Sequence, residues 1–360
     1  MNIQSTPEHD WRTQFKNSIK TFEQLDQMLP KNPRREQFFR ENQQRVSLPF
    51  SVTPHFVSLM SGEPDCPIFL QVISSAQELV HDVDAMRDPL GEESRQQVPH
   101  LVHRYPDRVL FLATDRCAAY CRFCHRKRWV GQGPSPTRDE QEEAFLYIEQ
   151  HKEIHEIVFS GGDPLVLSTP RIKQLIERSL RIPHIQLLRF HTRMLSFAPM
   201  RIDEELLAVF NSETPIFIVT HFNHPQEINE HTIHAIKRLQ QSGVVLLNQA
   251  VLLKGINDHE ATLKELFMLM ARLKIRPYYL HQCDMVVGSS HFRVPLGRSL
   301  ELMAGLRGHV PGHCLPTLVV DIPGGHGKVP LIKSPIIRED DTHLYLRGFL
   351  GGVGAYPKDE

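Results

Sequence analysis

An α/β fold built on a parallel sheet is what the sequence predicts, and three observations point there. First, short β-branched or apolar runs recur at 109–113, 156–159, 186–190, 216–220, 244–249, 277–281 and 317–320. Second, amphipathic stretches of helical period stand between them, at 138–151, 170–181, 203–211, 225–242, 258–273 and 295–307. Third, helix-stop punctuation falls at a junction, as in Ser242-Gly243 ahead of the run at 244–249. Strands alternating with helices imply right-handed βαβ units and parallel pairing. Six such units suit an open barrel or a doubly wound sheet, and periodicity does not separate the two. In either, functional groups gather at the C-terminal ends of the strands.

The first hundred residues read differently. Trp11, Phe15, Ile19, Phe22, Leu25 and Leu29 are spaced by three and four, which is helical, and Thr21 with Gln24 forms a capping-box pattern that splits the stretch into two short helices. Turn residues mark loops at 62–68 and 87–99. The chain thus divides into a mostly helical region over 1–100, an α/β core over 101–328 and a short extension over 329–360. The extension's apolar run at 343–350 suits an edge strand or an oligomer contact.

With 360 residues, 41% of them hydrophobic, the chain can bury a large core. A net charge of -1 supplies no field that would favour nucleic acid or an anionic membrane. No apolar run approaches the ~20 residues of a membrane span, and the opening MNIQSTPEHD lacks a signal core, so a cytoplasmic protein is expected. In that setting clustered cysteines bind metal or do redox chemistry more often than they form disulfides.

Three of the six cysteines are clustered. Cys117, Cys121 and Cys124 form C-x3-C-x2-C just after the first core strand. A structural zinc site closes with four ligands and an ordinary ferredoxin cluster also takes four thiolates. Three thiolates on a four-iron cubane leave one iron open to the amino and carboxylate groups of S-adenosylmethionine. Competing readings are a zinc site that borrows His125 and a chance grouping of buried cysteines. The spacing, with Phe123 before the last cysteine, resembles the radical S-adenosylmethionine superfamily. One βα unit later, Ser160, Gly161, Gly162 and Asp163 follow a strand; glycines there allow close backbone approach, and Asp163 can accept from an ammonium. At this position the segment looks like the superfamily's motif for the amino group of S-adenosylmethionine.

The series HRYPDRVLFL (103–112), SGGDPL (160–165), THFNHPQEI (220–228), NQAVLLKGIND (248–258), RPYYLHQCD (276–284), HFRVPL (291–296), GLRGH (305–309) and VVDIPGGHGKVP (319–330) resembles the lysine 2,3-aminomutase family. The resemblance implies a partial (βα)6 TIM-type barrel, a [4Fe-4S] cluster, S-adenosylmethionine and pyridoxal phosphate. It further implies a 1,2-amino shift of free L-lysine to L-β-lysine, a homo-oligomer, and an electron donor such as flavodoxin or ferredoxin. Lys328 matches the lysine that carries pyridoxal phosphate; its Gly-rich loop fails the phosphate-loop pattern, with Ile322 where the first glycine belongs and Val329 where Ser or Thr belongs. On flexible backbone it would exchange readily with substrate amines. Arg104, Tyr105, Arg108 and Gln249 match positions around that cofactor, and Arg126 matches the clamp on the substrate carboxylate. Asp284 and Asp321, each at a strand end, match the acids that hold the distal ammonium of lysine.

Three features depart from the family pattern. The tail ending Tyr356-Pro-Lys-Asp-Glu has no cysteine, so no zinc site is expected there. His125 and Trp129 flank the cluster loop without an assigned effect, and His326 interrupts the glycine run as a spacer or cofactor contact. The nearest alternatives are an aminomutase that supplies β-lysine for attachment to elongation factor P, and one that acts on another cationic amino acid.

Overall fold

Each β-rich run finds its partner in chain order, so the core closes progressively. The computed structural model describes residues 10–358 except Arg45 and Pro49; the first nine residues of the polar opening and the last two of the tail lie outside the described residues. Ten strands form one sheet in sequence order: β1 (Gln96–Val98), β2 (Leu101–Tyr105), β3 (Arg108–Thr114), β4 (Glu156–Gly161), β5 (Leu187–Thr192), β6 (Ile216–Thr220), β7 (Val245–Leu252), β8 (Arg276–Gln282), β9 (Thr317–Ile322) and β10 (Gly327–Pro330). Pairing from β3 through β9 is parallel throughout, which gives seven strands and six crossovers. That is the partial (βα)6 barrel the resemblance implied. Antiparallel strands β1–β2 and β10 flank it.

All seven expected strands and all six expected crossover helices are present. Five short helices, α1 (Trp11–Lys16), α2 (Phe22–Met28), α3 (Pro33–Glu41), α4 (Pro54–Val57) and α5 (Pro67–Leu70), precede the sheet. Helix α6 (Arg138–Gln150) begins at a Thr137–Glu140 capping box, and α7 (Thr169–Leu180) follows β4. A short α8 (Met194–Phe197) and then α9 (Glu204–Phe210) follow β5. Helix α10 (Glu230–Gln241) starts later than the expected residue 225. The reason is local: Glu227 accepts from the backbone N–H groups of Asn223 and His224, closing a separate turn, and Asn229 recaps the chain. Helices α11 (Glu260–Arg272) and α12 (Leu296–Leu306) complete the set.

Thr21 and Gln24 do form a capping box, at the start of α2. The stretch 62–68 is not all loop, because Pro67 opens α5, and 87–99 contains a 3-10 turn (Glu93–Arg95) and β1. The lead-in shares one apolar core with the barrel: Leu25, Phe56 and Phe69 are fully buried with Phe159, Phe190 and Phe222. It also braces the cysteine loop. Tyr120 N–H donates to Ser51 O and Arg122 N–H to Gln71 O, while fully buried Arg122 forks onto Glu78 at 2.7 and 2.8 Å.

The run at 343–350 is neither an edge of the main sheet nor continuous. Its strand, β12 (His343–Arg347), is the centre of a separate antiparallel sheet between β11 (Ile336–Glu339) and β13 (Val353–Pro357).

The tightest backbone contact joins β4 to the cysteine loop. A Cβ on Gly161 would stand 2.4 Å from Thr114 O, and one on Gly162 2.1 Å from Arg116 O. The protein's own backbone thus requires glycine at both positions. Gly162→Ala is expected to destabilise the fold by ~1–3 kcal/mol through overpacking. A shift of the urea midpoint to lower concentration checks it, and an unmoved midpoint would show that this contact yields without penalty.

Candidate active site

The C-terminal ends of the parallel strands open into one cavity of about 410 Å³. All fifteen residues singled out in the sequence line it: the three cysteines, Ser160 to Asp163, Arg104, Tyr105, Arg108, Arg126, Gln249, Asp284, Asp321 and Lys328.

Cys117, Cys121 and Cys124 lie on the loop after β3. Burial pushes the Cys117 thiol well up and the Cys124 thiol up to about 11. All three line the same cavity, and three thiolates on one loop suit an iron–sulfur cluster.

Asp163 is buried, and its carboxylate ties two strand ends together. It accepts from Leu165 N–H (3.0 Å), Thr192 Oγ1 (2.8 and 2.9 Å) and Arg193 N–H (2.7 Å). Burial nevertheless raises its pKa to about 6. Arg126 is also fully engaged. Its Nε and Nη2 fork onto Glu92 at 2.7–3.1 Å, and Nη1 donates to Ser160 Oγ (3.1 Å) and Gly161 O (3.2 Å). Burial opposes the charge on Glu92, but Arg126 and His125 overcome it and hold the carboxyl well below its usual range.

At the opposite wall Lys328 sits on β10, which corrects the expectation of flexible backbone. Lys328 and Asp321 are direct cross-strand partners, so Nζ meets both carboxylate oxygens at 3.0 Å. Tyr105 reaches across the gap between the flanking strands, its hydroxyl accepting from Lys328 N–H at 3.1 Å, while the Arg108 guanidinium lies 4.0 Å over the Tyr105 ring. Arg104 Nη1 stands 3.9 Å from Asp321. The Nε atoms of Arg104 and Arg189 are buried without a hydrogen-bond partner. Buried donors are ordinarily satisfied. Three guanidiniums and an amine at one end fit an anionic phosphate beside an amine-reactive carbonyl, as pyridoxal phosphate presents.

The two acids differ. Burial pushes Asp321 up, but His281 and Lys328 more than offset it and hold the carboxyl below its usual range. Burial raises the Asp284 pKa, aided by Asp321 and opposed by His125, whose Nδ1 lies 3.5 Å from Oδ2, and by His281 and Lys328. Asp321 thus has an ammonium as its direct partner, and Asp284 an imidazole.

His125 bridges Glu92 and Asp284 at 3.7 and 3.5 Å, which gives it a place in the cavity wall. Trp129 and His326 do not line the cavity; Trp129 packs over Gly133, and His326 is exposed beside the Gly324 turn. Sequence reading missed Glu92, Arg189, Arg193 and His191, all of which line it. Arg189 carried a signal, as a cation inside an apolar strand. Glu92 carried none, because it lies in a turn-rich segment that reads as solvated loop. Gln249 Nε2 stands 3.3 Å from His191 Nδ1, so Gln249 donates to a neighbour that the sequence did not pair with it.

Comparison with known proteins agrees with this geometry. A model of the radical SAM superfamily matches residues 111–267, and one described as lysine-2,3-aminomutase matches 303–360. The L-lysine 2,3-aminomutase of Acetoanaerobium sticklandii is 38% identical, covering 98% of this chain and 85% of the relative. That of Clostridium subterminale is 39% identical over 97% of this chain and 84% of the relative. The glutamate 2,3-aminomutase of Clostridioides difficile is 32% identical over 98% and 84%. This chain belongs to the lysine 2,3-aminomutase family of radical SAM enzymes.

Proposed function

We propose that the enzyme is an isomerase that moves the α-amino group of L-lysine to C3, yielding L-β-lysine. The convergence of all fifteen expected residues on one cavity carries this reading. Because relatives are named for lysine and for glutamate, the substrate has to be chosen by side chains. Asp321 meets Lys328 at 3.0 Å and Arg104 at 3.9 Å, whereas Asp284 meets the imidazole of His125 at 3.5 Å. A second ammonium, at the far end of lysine, completes the pairing that buried charges require. The distal carboxylate of glutamate would instead meet two acids.

When bound, the cluster and S-adenosylmethionine would supply a carbon radical able to take a hydrogen from C3, and pyridoxal phosphate the π system across which nitrogen moves. The three cysteines would hold the cluster, with Ser160, Gly161, Gly162 and Asp163 around S-adenosylmethionine. The guanidiniums of Arg104 and Arg108, with Arg189, would hold the phosphate, and Tyr105 and Gln249 would border the ring. Arg126 would orient the substrate carboxylate, fixing C3 relative to the radical source; such orientation supplies much of the rate in pre-organised sites. Asp321 would hold the Lys328 side chain in place, both carboxylate oxygens lying 3.0 Å from Nζ, while it is not engaged by the cofactor. An external low-potential donor such as flavodoxin or ferredoxin would supply the electron. The small C-terminal sheet, where Ile336, Val353 and Tyr356 are exposed, supports the expectation of a homo-oligomer.

Three outcomes follow from these roles. Lys328→Ala should retain cluster assembly and lose β-lysine formation from free L-lysine, as read by amino-acid analysis of anaerobic reactions; β-lysine from that variant would sink the assignment. Asp284→Asn should lower kcat/KM for lysine by about 30-fold or more, from the ~2 kcal/mol or more lost when one partner of a buried charge pair is removed. A variant with wild-type kcat/KM would remove Asp284 from substrate binding. Glu92→Gln leaves uncompensated positive charge beside Arg126 and should lower the KM for lysine. A raised KM would mean instead that the Glu92 charge is needed to hold the fork in place.

A further inference from the structure

We propose that Arg193 is a positioning residue for the cluster, donating a charge-assisted hydrogen bond to the sulfur of Cys121 and thereby raising the reduction potential of the metal group bound there. The inference rests on the reading that Cys117, Cys121 and Cys124 hold a four-iron cluster, and it assigns a role to a residue outside that motif.

Arg193 directly follows β5, and its backbone N–H is pinned by Asp163 Oδ2 at 2.7 Å. Each edge of its guanidinium is occupied. Nε donates to His221 O at 3.1 Å, Nη2 to Gln71 Oε1 and Glu227 Oε2 at 2.8 Å each, and Nη1 to Cys121 Sγ at 2.9 Å. The rings of Phe197 and Phe123 lie 4.6 and 5.7 Å from the guanidinium carbon. Glu227 is fully buried and is itself fixed by Ser196 Oγ, Asn223 N–H and His224 N–H. The fork therefore cannot swing away from the sulfur without breaking several buried bonds.

Other cations near the loop point elsewhere. Arg122 and Lys127 donate to Glu78 and to carbonyl oxygens, and Arg126 to Glu92, Ser160 and a carbonyl oxygen. Arg193 instead aims an N–H at a cysteine of the motif. Reduction of a cluster places added electron density on its thiolate ligands. A donor and a positive charge at the sulfur stabilise the reduced state more than the oxidised one, which raises the potential. Glu227, paired to the same guanidinium, opposes that effect. The two residues form a matched pair with opposite influence on one sulfur.

The test uses the full chain, reconstituted anaerobically with iron and sulfide. The electron paramagnetic resonance signal of the reduced cluster is followed against potential, without S-adenosylmethionine. Arg193→Gln should keep its iron and sulfide content and titrate at a more negative potential, by 59 mV for each tenfold change in the one-electron equilibrium. Arg193→Lys, which keeps the charge but not the fork, should lie between. Glu227→Gln should shift the potential the other way. If Arg193→Gln binds no cluster, the signs of the other two shifts decide the matter. Potentials equal to wild type, or shifts of the same sign in Arg193→Gln and Glu227→Gln, overturn the proposal. So does an Arg193→Gln protein with an unchanged potential and weakened S-adenosylmethionine binding, which would assign the guanidinium to that ligand's carboxylate. A wild-type chain that takes up no cluster would sink the underlying cluster reading instead.

Discussion

Buried positive charge has to be neutralised, and the architecture around the cysteine loop follows from that constraint. The loop carries Arg122, Arg126, Lys127 and Arg128 within seven residues, and all four side chains are mostly buried. An unpaired buried cation is costly, so each needs an acid brought in from elsewhere. Glu78 serves Arg122 and Lys127; Glu92 serves Arg126; Asp88, Glu92 and Glu93 surround Arg128. Every one of these acids comes from the segment before the barrel. The lead-in is therefore the counter-charge of the site as well as a cover for its apolar core, which is why a loop and a distant helical region behave as one structural unit.

The same rule joins the two edges of the incomplete barrel. No backbone ladder runs from β2 to β10, since these strands flank opposite sides of the parallel set. Side chains span the gap: Tyr105 to the Lys328 backbone, Arg104 to Asp321 and to the Leu90 carbonyl. Gly324 N–H also donates to Pro89 O, and a Cβ on Gly91 would lie 3.1 Å from Gly324. A fully closed barrel fills its centre with side chains. Leaving it open, and sealing it with polar contacts, provides room for large cofactors between the walls.

Regular periodicity made the core of the fold legible in advance. Strands such as Ile216–Thr220 and helices such as Arg138–Gln150 are set by local alternation and capping, which a single sequence displays. Barrel against open sheet was not legible from period, because closure depends on contacts such as Tyr105–Lys328 over 223 residues of separation. The site was legible where chemistry is written in spacing, as for the three cysteines, or in matched stretches, as for Lys328. Glu92 and Arg193 escaped because their meaning lies in partners 34 and 72 positions away. Cross-chain pairing of that kind leaves no local pattern.

Asp321 shows what an aligned position does not convey. A match to the family predicts an acid near the substrate ammonium, yet register puts Asp321 opposite Lys328, with Nζ on both of its oxygens. An antiparallel pair of this kind sets the two side chains side by side on one face of the ladder. Asp284, raised by burial, has the imidazole of His125 at 3.5 Å as its ion-pair partner, with His281 and Lys328 also acting on it. The two acids therefore differ in surroundings: Asp321 is tied to the Lys328 ammonium, and Asp284 meets the imidazole of His125. Backbone register, which an alignment does not display, is what sets Asp321 apart from Asp284.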